Sequence, residues 1–227
     1  MTRPGLLVRT PRIGHRAAWD AQRAMAAARR AGAIPDVVWL LEHPPTFTTG
    51  RHGGREDLFL ADEALAAAGA EFVPVDRGGR MTWHGPGQTV GYVIADLRPG
   101  RRVRAFVEAL VAAMRDATGL ADAAPGADAM GLYAGGRKLG SVGIRVSEGV
   151  TTHGLALNRD PDLDWFRLIT ACGAPDVEAT SIAAEGGDPD RERVEAALAA
   201  SLGRRLGLDL SPAPLESVLA PTGAAAP

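Results

Sequence analysis

The sequence predicts one mixed α/β (α+β) domain, a mixed sheet flanked by helices. Three observations carry that expectation. VVWLLE at 37–42 and TVGYVIADL at 89–97 are short apolar runs of the length and composition of buried strands. Residues 103–118 place Val103, Phe106, Val107, Leu110, Val111 and Met114 at helical spacing. RKLGSVGIRV and VTTHGLALN flank Ser147-Glu148-Gly149, a short connection ending in glycine that predicts a hairpin.

The remaining elements follow in chain order. Residues 15–30, rich in Ala, Arg and Gln, predict a helix stopped by Gly32 and Pro35. HPPTFTTGRHGG, 43–54, reads as loop. The alanines of 61–68 predict a short helix, and EFVPV a strand that Pro74 confines to an edge or bulge. RGGRMTWHGPGQ, 77–88, reads as a turn-rich loop, and 188–206 as a final helix. Neither repeat nor linker divides the chain. The expectation is one domain over 1–210, followed by a poorly ordered tail over 211–227.

Composition bounds the function. The formal charge is −2 over 227 residues, which gives no reason to expect nucleic acid as a partner. No run reaches the roughly 18–20 apolar residues of a membrane span, and MTRPGLLVRTPRIGHR lacks the apolar core of a secretory signal, so a cytoplasmic protein is expected; a monomer is the expected state, although nothing in the sequence fixes self-association. The single cysteine, Cys172, excludes an intrachain disulfide and a cysteine metal cluster. His43, His84, His153 and Cys172 lack the short spacings of zinc motifs, so neither metal nor other cofactor is expected.

Three stretches could carry chemistry. In RGGRMTWHGPGQ, glycines allow close backbone approach to a ligand, and Gly85-Pro86-Gly87 fixes a turn beside His84. The stretch is neither a dinucleotide fingerprint nor a P-loop; a plain structural turn is the competing reading. THGLALN, 152–158, puts His153 and Asn158 on the return strand of the hairpin, where a histidine is also at home as a satisfied core residue. ITACGAPDVEATS, 169–181, places Cys172 where an apolar segment turns into a loop, a position at which a thiol becomes reachable.

GGRKLGSVG holds the one lysine of the chain, Lys138, against 24 arginines (25 − 1). Arginine stays charged, whereas a buried ammonium can lose its proton. A thiol is only a few per cent thiolate near neutrality, and a neighbouring amine assists it as base or as counter-charge. Chance survival of one lysine is the alternative.

These motifs, with EHPPTFTTGR before them, stand in the order found in lipoyl(octanoyl) transferases, and roughly residues 6–206 resemble that family. The resemblance implies the fold of biotin and lipoate protein ligase catalytic domains. It also implies octanoyl transfer from octanoyl-acyl carrier protein to a lysine of a lipoyl domain, on 2-oxoacid dehydrogenase E2 subunits or glycine cleavage H protein. By the same resemblance Cys172 is the nucleophile that forms an acyl thioester and Lys138 its partner. Arg77, Gly78, Gly79, Arg80, Met81, Thr82, Trp83, His84, Ser141, Val142, Gly143, His153, Gly154, Leu155 and Ala156 are its substrate-binding residues. Acyl carrier proteins are acidic, which makes Arg101, Arg102 and Arg104 candidate docking residues. Asp76, Trp83, Ala171 and the Leu-Gly after Lys138 depart from the family pattern. An ATP-dependent ligase on the same fold and a non-catalytic acyl-binding module are the competing functions.

Pairing the hairpin about Glu148 puts Lys138 opposite Asn158 and His153 opposite Gly143, so strict alternation sends Lys138 and His153 to opposite faces.

Overall fold

The computed structural model describes residues 2–98, 100, 102–127, 130–170 and 177–220. The elements are β1 (Arg3–Thr10), α1 (His15–Arg30), β2 (Asp36–Leu41), β3 (Thr46–Thr49), α2 (Asp62–Ala67), β4 (Glu71–Pro74), β5 (Met81–His84), β6 (Gln88–Ile94), α3 (Val103–Thr118), β7 (Ala124–Pro125), β8 (Gly131–Ala134), β9 (Arg137–Ser147), β10 (Val150–Asn158), α4 (Arg191–Leu206), β11 (Leu208–Pro212) and α5 (Leu215–Leu219). Eight strands form one sheet in the order β11-β1-β2-β6-β10-β9-β8-β7, and β4-β3-β5 form a second. Both are mixed: β11, β1 and β2 run parallel, whereas β2, β6, β10 and β9 alternate in direction.

Every residue of β2 and β6 is buried because both faces of the large sheet are covered. The period-2 alternation divides β2 cleanly. Val38 and Leu40 join Val93, Leu155 and Leu157 against the apolar stripe of α3 and Leu198 and Leu202 of α4. Val37, Trp39 and Leu41 face the other way, onto Ala18, Met25 and Ala26 of α1. A third cluster, Phe47, Leu58, Leu65, Met81, Trp83 and Ile169, sits under the small sheet.

Four sequence expectations change. The stretch 43–54 contains β3, and 77–88 contains β5; these two four-residue strands pair antiparallel, Phe47 opposite Trp83. Polar, Pro-flanked strands of this length carry too little periodicity to be seen. Arg3–Thr10 form β1, held between β2 and β11. The C-terminal stretch is ordered through α5: β11 pairs with β1, and Val218 is buried against α1. The hairpin turn has two residues, not three. Ser147 pairs with Val150, and Glu148 and Gly149 take φ of 49° and 83°, the mirror-image turn whose twist matches that of the strands. The register therefore moves by one: His153 lies opposite Ile144, and the pairing ends at Leu157 opposite Gly140.

Candidate active site

Four small residues hollow out the α1 side of the sheet. Ser141 pairs with Ala156 and Gly143 with Gly154, so all four share one face. The segment 77–84 and the small sheet close over them. The result is a cavity of about 340 Å³, the size of a small-ligand site. Its wall combines Met81, Val90, Val142, Leu155 and Ala156 with His15, His84, His153, Tyr92, Arg77 and Lys138.

Two backbone irregularities bring Lys138 and His153 to that wall. Between β8 and β9 the register shifts, Leu132 pairing with Gly140 but Tyr133 with Lys138, which leaves Leu139 as an extra residue. A bulge reverses the alternation, so Lys138 joins the face of Ser141 while Leu139 is wholly buried in the α3 core. His153 has φ 61°, a left-handed conformation rare for a residue with a side chain. It swings the imidazole away from the Leu155 face toward Trp19 and Tyr92. Its N–H is held by Gln22 Oε1 at 2.7 Å, and Nε2 lies 2.8 Å from Asp76 Oδ1.

The ionisable groups are arranged to keep the interior uncharged. His15, His43 and His84 are nearly or fully inaccessible, with ring centroids 4.8–5.9 Å apart. Burial lowers His43 to about 4 and His84 to about 3, and pushes His15 far below the usual imidazole range. Hydrogen bonds fix the tautomers of His43 and His84. His43 donates Nδ1–H to Ile13 O (2.7 Å) and accepts from the Tyr92 hydroxyl (2.6 Å). His84 donates Nδ1–H to Gln88 Oε1 (2.7 Å), while Gln88 donates to Asn158 Oδ1 (2.9 Å). Arg77 turns its guanidinium onto Gly78 O, Arg80 O and both oxygens of Thr48. Asp76 lies well below its ordinary pKa, chiefly because His153 donates to it, with Arg145 3.3 Å away. His153 is itself lowered, since burial outweighs the attraction of Asp76; a neutral imidazole donating to a carboxylate satisfies both directions. Among the described residues no cluster of His, Cys, Asp and Glu could hold a metal ion.

Lys138 is tied to the chain beyond Cys172. Its N–H donates to Glu178 O (2.7 Å), and Thr180 N–H donates to its carbonyl (2.9 Å). A second, smaller recess is lined by Lys138, Thr82, Ser141 and Ala156 together with Phe166 on one side of the cysteine segment and Val177 and Ala179 on the other. Cys172 itself falls in 171–176, outside the described residues.

Of the substrate-binding residues named from the sequence, fourteen line the cavity. Trp83 does not. It is inaccessible, stacked on Trp165 (5.7 Å) and set against Phe166 in the cluster beneath the small sheet, because it alternates with Thr82 and His84 along β5. The N–H of Gly78 is engaged by Ile144 O (3.0 Å), so that one group is not available to a developing oxyanion. Arg104 pairs with Glu108, and Leu97, which leads toward α3, bonds Gly149 at the hairpin turn. Neither Arg102 nor Arg104 borders the cavity; Arg101 lies outside the described residues. His15, Tyr92 and Val90 enter the wall without sequence warning. His15 opens α1 and reads as an ordinary helix start, and Tyr92 as one more strand apolar.

Residues 15–203 match the family of the lipoyl protein ligase A/B catalytic domain. A protein of Thiobacillus denitrificans named octanoyltransferase is 42% identical over 207 residues, 89% of this chain and 92% of that protein. Two solved structures share the fold. A putative lipoate protein ligase from T. acidophilum with bound lipoic acid superposes with TM-score 0.73 at 16% identity, covering 96% of this chain and 93% of that one. The biotin protein ligase of Leishmania major in complex with biotinyl-5-AMP gives 0.52 at 14%, over 89% and 74%. The chain belongs to the lipoyl protein ligase A/B catalytic domain family.

Proposed function

We propose that this chain is an octanoyltransferase of protein lipoylation, working in the cytoplasm as a monomer, which takes the acyl group from octanoyl-acyl carrier protein onto Cys172 and passes it to a lysine of a lipoyl domain. The observation that carries the reading is the position of Lys138. The one primary side-chain amine lies in the wall of a largely apolar cavity, and the backbone of its residue is hydrogen-bonded to the segment that follows the one thiol.

Lys138 takes the Cys172 proton, and the thiolate attacks the thioester carbonyl. Collapse expels the pantetheine thiol, which takes the proton from the Lys138 ammonium. The substrate amine then attacks the Cys172 thioester and gives a proton to Lys138, an amide forms, and the Cys172 thiolate leaves. Exchange between thioesters is nearly level and amide formation is downhill, so ATP is not required. Burying each methylene of the acyl chain contributes about 0.8 kcal/mol, and the neutral imidazoles and internally bonded Arg77 put no unmatched charge against it. With Gly78 engaged, the other N–H groups of the glycine loop near 77–87 or those following Cys172 are the oxyanion donors of this reading. The lipoyl domains of 2-oxoacid dehydrogenase E2 subunits and glycine cleavage H protein are the acceptor class.

Intact mass spectrometry after incubation with octanoyl-acyl carrier protein tests this. The expected result is one octanoyl adduct on Cys172, lost in Cys172→Ser along with transfer, and indifferent to ATP. Transfer that persists in Cys172→Ser, or that requires ATP, overturns the reading.

A further inference from the structure

We propose that Tyr133 is the positioning residue of Lys138: its ring holds the ammonium of the lysine toward the cavity and favours the charged form that stabilises the Cys172 thiolate. This rests on the assignment of Cys172 and Lys138 above.

Three independent features of the β8–β9 pair support it. Tyr133 and Lys138 are direct cross-strand partners, so their side chains leave the same face of the sheet. Lys138 Nζ lies over the Tyr133 ring, 5.6 Å from its centroid, within the range at which the negative face of an aromatic ring attracts a cation. Gly131 then makes room for the arrangement. A Cβ on Gly131 would lie 2.8 Å from Tyr133 Cε2 and 3.2 Å from Lys138 Cε; the ring and the aliphatic stem therefore cross directly above a residue that has no side chain. The bulge at Leu139 completes the device. Without it, Lys138 and Ser141 would face opposite sides; with it, they share the cavity face.

The chemical consequence concerns which protonation state the pair prefers. Moving the thiol proton to the amine creates an anion and a cation together. The face of an aromatic ring stabilises the cation without supplying a competing anion, as a carboxylate at that place would. It therefore shifts the shared proton from sulfur to nitrogen and raises the thiolate fraction. A ring also orients a flexible four-carbon chain by contact along its length.

Because Cys172 is the one thiol, the pH dependence of its alkylation by iodoacetamide reads the thiolate directly in the full-length protein. Tyr133→Leu is expected to raise the pH of half-maximal alkylation by about half a unit to one unit and to slow alkylation at pH 7 about threefold to tenfold. Tyr133→Phe keeps the face and retains the wild-type profile. Gly131→Ala, which pushes the ring and stem apart, moves the profile in the direction of Tyr133→Leu. Thermal melts identify any variant that has not folded, and the Phe and Ala variants keep the test open if Leu fails. Profiles that stay at wild type in both Tyr133→Leu and Gly131→Ala, while Lys138→Met shifts, overturn the role of Tyr133 and leave the transferase reading intact. A Tyr133→Phe profile as displaced as that of Leu assigns the effect to the hydroxyl and also overturns it. A Lys138→Met protein with unchanged alkylation and transfer removes the lysine–thiol pairing itself, and the inference with it.

Discussion

Lys138 and Arg137 are adjacent in sequence and differ in what they can do. Arg137 bonds Glu185 at the surface, a task for a permanent charge. Lys138 lines the cavity and, in the proposed mechanism, gives and takes a proton, which a guanidinium cannot do at physiological pH. Lys138→Arg is therefore expected to lower kcat/KM for octanoyl transfer by about 10²–10⁴ with a near-normal melting temperature; an active Arg variant refutes the proton-transfer role. His84 and His153 are positioned differently from Lys138. One is fixed by Gln88 and the other by Asp76, and both are neutral near pH 7, which suits them to shape the wall.

At the level of elements, the site depends on places where strand regularity breaks. The Leu139 bulge and the left-handed His153 bring two side chains to the wall that an unbroken alternation would turn away. Gly154 follows His153, and a Cβ there would lie 2.0 Å from the Gly91 carbonyl oxygen of β6. Backbone atoms cannot step aside as a side-chain tip can. Gly154→Ala is expected to cost about 2–3 kcal/mol in urea unfolding and to narrow the cavity; unchanged stability would show that β6 and β10 approach less closely than described.

Across the whole molecule, the buried imidazoles couple folding to pH. His15, His43 and His84 are neutral in the fold, with pKa values lowered from 6.5, to about 4 for His43 and about 3 for His84. In the unfolded chain they take up protons below about 6.5, which the folded chain does not. Their contribution is complete above that pH and is lost as the pH falls toward the folded values. Three such groups remove about 4 kcal/mol of stability between pH 7 and pH 5.5, measurable as a fall in the urea midpoint; a flat profile over that interval contradicts the buried neutral cluster. By itself the sequence determined the class of fold and the long elements, because α3, α4, β2 and β6 carry their burial pattern in local periodicity; the residues that line most of the cavity were named by the resemblance of the motifs to a family and not by any local pattern. It did not determine β3 and β5, whose four residues gain their stability from pairing with each other, nor the fate of the C-terminal stretch, ordered only by docking on β1 and α1. Tertiary structure alone decided that Lys138 and His153 share one wall and that Trp83 leaves it. A single extra residue in a strand, or one left-handed φ, reverses which face a side chain takes, and such a step is fixed by the strands on either side rather than by the residue that makes it.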